Sequence, residues 1–482
     1  MILHVNHLQK GQEAAASGVV AALFALLEEG RLDPRVLTQL RVHLDWIQYR
    51  QNFRDAVMVR RATDGRGEPL ALAEIAVDLR QVRGETLRDD LARAVSTVAP
   101  DANDERAGRV FLEGFAPIRA STIWRFNRLF WQHLAAWEET SGRPFEQALP
   151  GGKSDANHPA AVADAVADFW TLLRDMEKRG QLPPEVYVLE IGVGTGQRAA
   201  LWLDRFRELD AQRESGFYPR IRFLLSDYSI PILDRAAATV RGHPEVSFLA
   251  LDALNPIKTL SFLRYKVLNV HLTNVYDNLP HDELVRRDGR FYLVEVRAYL
   301  PAAAAARAAE ALGIPPAALP DAVAKFLDVG PLYFGERQHA VDWWRQVWGA
   351  LRLEERLLAL EDLGEAPLPP GLDVLHLEEL LREAPADIRF HLSSGAAESF
   401  ANTLPLLHPR GYLHVQDIFV TSMQEYRHGF RGPGKLDGSV VNWVNGPLLG
   451  AMGTRAGYDV HFAPFRYREG SRTSLLYTTP RD

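Results

Sequence analysis

A chain of 482 residues, 47% of them hydrophobic, can fill two or three structural units, since single cores seldom grow beyond about 250–300 residues. A net charge of −7 argues against nucleic acid as a partner, and the absence of cysteine excludes disulfides, thiolate metal sites and cysteine nucleophiles. No apolar run reaches the roughly 18–20 residues of a membrane span, and "MILHVNHLQKGQEAAASG" lacks the layout of a secretion signal. A cytoplasmic protein without membrane contact is expected.

Residues 1–150 read as a mainly helical region. Apolar residues recur at helical spacing in 17–32, and aromatic residues do so in 123–139 ("IWRFNRLFWQHLAAWEE"). The stripe Trp124, Phe126, Phe130, Trp131 and Trp137 suits a core or a homodimer surface. Between these stretches, 55–79 has two readings: a hairpin around Asp64–Gly65, or two short helices. The turn-rich 148–159 marks a boundary, after which 151–482 reads as one α/β domain.

That domain alternates strand and helix. A helix at 160–179 precedes strand 185–192, and a helix from about 197 to 210 precedes strand 220–229. Helix 230–241 leads to strand 245–254, and then strand 265–274 follows. Nearly continuous apolar strands in this alternation predict a parallel sheet with helices on both faces. Residues 300–385 interrupt it with a mainly helical insertion. The pattern resumes with helix 395–407 and strand 410–420, and 457–467 and 472–480 are close enough to pair antiparallel.

"VLEIGVGTGQ" (188–197) ends a strand in three alternate glycines and opens a helix. Backbone N–H groups and the positive helix end then face a ligand, which a Cβ would obstruct. A dinucleotide loop wants a third glycine at the position held by Gln197; Gly192, Gly194 and Gly196 preceded by Glu190 instead fit a mononucleoside. Asp227 ends the second strand, where a carboxylate can accept both ribose hydroxyls. Asp252, followed by Ala253, ends the third, where one can accept an adenine amino group. Alone, each of these acids also reads as an ordinary helix cap.

In order, these segments resemble the first three motifs of the class I S-adenosylmethionine-dependent methyltransferases. The resemblance covers roughly 185–480 and implies a Rossmann-like seven-stranded sheet with helices on both faces, the insertion following strand 4. It implies S-adenosyl-L-methionine as cofactor, with Gly192, Gly194 and Gly196 at its methionine portion, Asp227 at the ribose and Asp252 at the adenine. Glu190, Tyr228, Ala253 and Asn274 belong to the same expected cofactor site.

The fourth strand runs into "YDNLPHDELV" (276–285), which resembles the MidA-like family, whose mitochondrial member methylates a protein arginine during respiratory complex I assembly. "GYLHVQDIF" and "GPGKLDGSVVNWV" (432–444) also resemble that family, the latter through Asp437, Ser439, Val441 or Val444, and Trp443. The chain departs from its pattern at Asn274, where the family has an acid that would pair with Asp277, and at Ile418–Phe419. Asp277, Tyr276 and Asn278 are the expected catalytic residues, Asp277 orienting a nitrogen or oxygen acceptor or serving as a turn residue before Pro280. Asp417 either lines the acceptor pocket or is structural, and His281 is read as solvent-facing.

Trp343, Trp344 and Trp348 lie on one insertion helix, as a lid or as packing on the sheet. No metal is expected, because His4 and His7 are too close to the terminus and no cluster has zinc spacing. The acceptor class favoured is a protein or peptide side chain. The alternatives are a small-molecule N- or O-methyltransferase and a non-catalytic assembly factor that binds the cofactor.

Overall fold

Short runs rich in valine, leucine and alanine open the chain. The computed structural model describes residues 2–5, 11–32, 40–45, 51–98, 108–149, 152, 154–427 and 432–481; His7 falls outside them. β1 (Ile2–Val5), β2 (Leu40–Asp45), β3 (Val57–Thr63) and β4 (Pro69–Asp78) form a sheet on which helices Glu13–Glu28 and Gly84–Val98 pack through Val19, Leu23, Leu91 and Val95. β3 and β4 are the two arms of a hairpin, in whose turn the Asp64 carboxylate accepts the N–H groups of Arg66 and Glu68. The hairpin reading of 55–79 therefore holds.

The mainly helical reading of 1–150 is corrected, since β5 (Arg109–Phe111) and β6 (Ala116–Pro117) add to these strands. The last six residues of β4 are all buried, and a strand buried on both faces has no polar alternation to betray it. The expected helix at 123–139 divides into Thr122–Gln132 and Leu134–Ser141.

After helix Pro159–Lys178 comes a strictly alternating stretch. It runs β7 (Val186–Ile191), helix Gln197–Arg213, β8 (Ile221–Asp227), helix Ile230–Thr239, β9 (Val246–Ala250) and β10 (Val267–Thr273), and all four strands are parallel. Alternate residues of β7 serve opposite faces: Val186 and Val188 pack with the 159–178 and 197–213 helices, while Leu189 and Ile191 join the core on the other side.

The chain then leaves this sheet. β11 (Glu283–Arg287), β12 (Arg290–Pro301), β13 (Arg352–Ala359) and β14 (Ile388–His391) join the N-terminal strands in a ten-stranded sheet of order β1-β2-β4-β3-β13-β12-β11-β14, with β5 and β6 also on β12. Asp288 and Gly289, both at positive φ, close the two-residue turn between β11 and β12. Residues 300–385 hold the helices Ala302–Glu310, Leu319–Val329, Arg337–Ala350 and Val374–Arg382, with β13 running through them. Trp343, Trp344 and Trp348 are buried in one core with Trp124, Phe126, Phe130 and Trp137, the Trp137 and Trp344 rings being 4.7 Å apart. The aromatic stripe is thus core, and these tryptophans pack on the N-terminal helices.

Helix Ser394–Thr403 and β15 (Leu407–Asp417) return to the parallel sheet, followed by the short strands β16 (Phe419–Val420), β17 (Gly434–Leu436), β18 (Ser439–Val441) and β19 (Val444–Asn445). β20 (Tyr458–Pro464) and β21 (Ser474–Pro480) pair antiparallel as expected and complete a seven-stranded sheet of order β20-β21-β15-β10-β7-β8-β9. The carboxyl ends of β7, β8, β10 and β15 consequently share one edge. Among the described residues, no helix is long and apolar enough to cross a membrane.

Candidate active site

The turn after β7 is built by glycine for two different reasons. Gly192, Gly194 and Gly196 all have positive φ, where a Cβ is strained. At Gly192 a Cβ would also lie 2.5 Å from Val275 Cγ2, and at Gly196 2.9 Å from Ala236 Cα. At Gly194 nothing lies within 4 Å, so this residue faces open space. Gly196 is the N-cap of the following helix.

β8 holds the loop in place. Ser226 O accepts the N–H groups of Gly192 at 2.8 Å and Val193 at 3.0 Å. Asp227 Oδ2 accepts the Gly194 N–H at 3.3 Å, and its Oδ1 accepts that of Ser229 at 3.1 Å. Burial pushes the Asp227 carboxyl above its ordinary range, against these N–H donors. Asp252 lies just past the end of β9, exposed, with Oδ1 accepting the Leu254 N–H at 3.0 Å. The Asp227 carbonyl accepts the Leu251 N–H at 3.0 Å, which keeps the two acid-bearing segments adjacent. Ala253 packs half-buried against the core, and the exposed Tyr228 accepts a hydrogen bond from Gln132 Nε2 at 3.2 Å.

Glu190 is placed differently from the other acids. It is 3% exposed and binds Arg198 at 2.8 Å, beneath the loop. Burial raises its pKa and Arg198 opposes the rise. Across the sheet, His271 stands opposite both Glu190 and His414. Burial holds both imidazoles neutral, pushing His414 down to about 3. The pair Glu190–Arg198 therefore braces the helix behind the loop.

The ends of β10 and β15 form a second group. Asn274, at φ 51°, donates its N–H to Gln416 O at 2.9 Å and starts a tight turn through Tyr276, Asp277 and Asn278. Asp417 Oδ2 accepts the Tyr276 N–H at 2.9 Å and the Asp277 N–H at 3.3 Å. The Asp277 carboxylate accepts from Asn278 Nδ2 at 2.7 Å. Both acids are buried, at 7% and 0% exposure for Asp277 and Asp417. Burial pushes Asp277 well above the usual carboxylate range, and the neighbouring Asp417 adds to the rise. Burial likewise pushes Asp417 up to about 7, although four backbone N–H groups oppose it. Two such carboxylates cannot both ionise cheaply, so the pair retains a proton near neutral pH. Tyr276 is 1% exposed, its hydroxyl pKa raised by burial.

Two asparagines complete this group, Asn127 with no sequence signal and Asn442 from within the 432–444 segment. Asn127, from the N-terminal region, donates to Asn278 O at 2.8 Å and accepts the Val440 N–H at 2.9 Å. Asn442 donates its backbone N–H and its Nδ2 to Asp277 O, at 2.9 and 2.7 Å. The 432–444 segment is thus folded against the turn, with Trp443 on the core and Asp437 paired to Arg143. His281 corrects the solvent-facing expectation: it is 0% exposed, because Pro280 leads the chain directly into β11 rather than out to solvent.

No protein-family model and no curated protein matches the chain. Among solved structures it is similar to a COG1565 superfamily member from Burkholderia thailandensis bound to S-adenosyl-homocysteine, at 12% identity and TM-score 0.46, over 76% of this chain and 88% of that one. A native COG1565 superfamily structure from the same organism is similar at 13% identity and TM-score 0.41, over 76% and 87%. The DszA carbon methyltransferase is similar at 12% identity and TM-score 0.31, over 75% and 67%.

Proposed function

We propose that the chain is an S-adenosylmethionine-dependent methyltransferase acting on a nitrogen or oxygen of a protein or peptide side chain. The observation that carries this reading is the bond between Gly194 and Asp227, at the same sheet edge as the buried Asp277–Asp417 pair. The local chemistry suits the cofactor: an open space in front of Gly194, a carboxylate beside it on Asp227, and an exposed carboxylate on Asp252. Asp227 would hold the ribose hydroxyls, Asp252 the adenine amino group, and the glycine loop the amino-acid portion.

When bound, S-adenosylmethionine supplies an electrophilic methyl group on its sulfonium. The chain's own contribution is position and proton transfer. Asn278 and Asp277 offer an amide and a carboxylate to an acceptor nitrogen or oxygen, and the fixed turn sets its direction. Were that atom to take the methyl group while the methyl–sulfur bond breaks and its electron pair returns to sulfur, the acceptor's proton would pass to the carboxylate pair of Asp277 and Asp417. The acceptor class follows from the likeness at "YDNLPHDELV" and from the carboxylates, which suit a cationic or hydroxyl-bearing side chain.

Labelled methyl transfer from the cofactor into cell lysate, split into protein and small-molecule fractions, tests the reading. Label in protein, lost in Asp277→Asn, is expected. Label confined to small molecules overturns the acceptor class, and no label in either overturns the activity.

A further inference from the structure

The turn that presents Asp277 continues into a second cluster of ligating groups that the proposed chemistry does not use. His281 precedes β11, Glu283 is its first residue, and His391 is the last residue of β14, standing directly opposite Glu283 in register. All three are at least 97% buried. Glu283 Oε1 lies 3.0 Å from His281 Nε2 and 3.8 Å from His391 Nε2, and the three ligand atoms are all within 4.8 Å of one another. A tetrahedral ion about 2.1 Å from each donor needs them roughly 3.4 Å apart, a value these two separations bracket.

The surroundings orient the donors as a metal site requires. Glu283 Oε2 is held by Arg389, so Oε1 is the oxygen left facing the imidazoles. The Arg389 guanidinium is shared with Glu355, which it binds at 2.9 and 3.2 Å. His391 Nδ1 faces the Tyr426 hydroxyl at 3.3 Å, the kind of contact that fixes a ligating imidazole through its other nitrogen.

We infer that His281, Glu283 and His391 bind a divalent transition-metal ion of the zinc class. Two imidazole nitrogens with one carboxylate oxygen favour such a borderline ion over magnesium or calcium, which take oxygen donors. Three protein ligands leave a fourth position for water or another small ligand. The ion would tie β11 to β14 and so stiffen the segment leading out of the Asp277 turn. The inference stands independently of the methyltransferase reading.

The test is zinc titration of chelator-treated full-length protein, followed by calorimetry and thermal melting, with the metal content of the untreated protein measured alongside. One equivalent of zinc and a raised melting temperature are expected in the wild type. His281→Gln and His391→Gln should each weaken zinc binding at least tenfold while circular dichroism remains unchanged. No saturable zinc binding by the wild type, or equal binding by both folded variants, overturns the site. Should the variants fail to fold, the wild-type titration decides alone.

Discussion

Asp417, at the end of β15, accepts the backbone N–H of Asp277 at 3.3 Å and thereby locks two buried carboxyl groups side by side. Burial, opposed by four backbone N–H groups on Asp417, sets the pH at which the pair can take up a further proton. With the Asp417 carboxyl pushed up to about 7, turnover is expected to rise with pH through that region and to fall about tenfold per pH unit below it. The pH profile of kcat checks this; a flat profile from about pH 5.5 to 8 would contradict a proton-accepting role.

The same raised pKa has a consequence for stability, with a definite sign. Asp417 binds its proton more tightly in the folded chain, so its contribution is full below the ordinary aspartate pKa and is lost as pH rises from there through about 7. Asp417→Asn keeps an oxygen for the Tyr276 N–H but removes the charge. It is expected to raise the melting temperature relative to wild type at pH 8 more than at pH 5, while lowering turnover by about 100-fold. Melts at the two pH values, with turnover assayed beside them, decide both halves.

Asp227→Ala should weaken S-adenosylhomocysteine binding by at least tenfold, about 1.4 kcal/mol. An unchanged affinity removes Asp227 from the cofactor site. Gly194 and Gly196 separate two effects that a sequence motif merges. Gly196→Ala drives a Cβ into the Ala236 backbone, so both stability and binding should fall. Gly194→Ala meets no protein atom and should cost about 1 kcal/mol of stability from its positive φ, with a disproportionate loss of cofactor affinity. Thermal melts and calorimetry on the two variants tell them apart.

How far the sequence reached follows from which signals are local. The glycine loop, Asp227 and the Asp277 turn could all be read, because each needs only neighbours along the chain. Asn127 could not: it is an ordinary asparagine until the fold brings it to the turn carbonyl of Asn278, while Asn442 stood in a segment of family likeness that did not reveal its bond to the Asp277 carbonyl. The place of Glu190 in the motif gives no sign of Arg198, its ion-pair partner in the fold. The grouping of His281 with Glu283 and His391 has no local signal, because His391 arrives on a separate strand, β14. That sheet was itself only partly visible, since its strands come from both the N-terminal region and the insertion.

Asn127 gives the sharpest test of how the N-terminal region supports the site. Asn127→Ala leaves the Val440 N–H and the Asn278 carbonyl without this partner, at about 1–3 kcal/mol of stability. Turnover should drop while S-adenosylhomocysteine affinity stays within about twofold, roughly 0.4 kcal/mol. A parallel loss of affinity would assign Asn127 to general folding rather than to the acceptor turn.

The most direct test of the central claim is calorimetric titration of the wild-type chain with S-adenosylhomocysteine, with NAD as the control. Saturable one-to-one binding of S-adenosylhomocysteine and none of NAD is the predicted result. Absence of S-adenosylhomocysteine binding by the folded wild type would contradict the account.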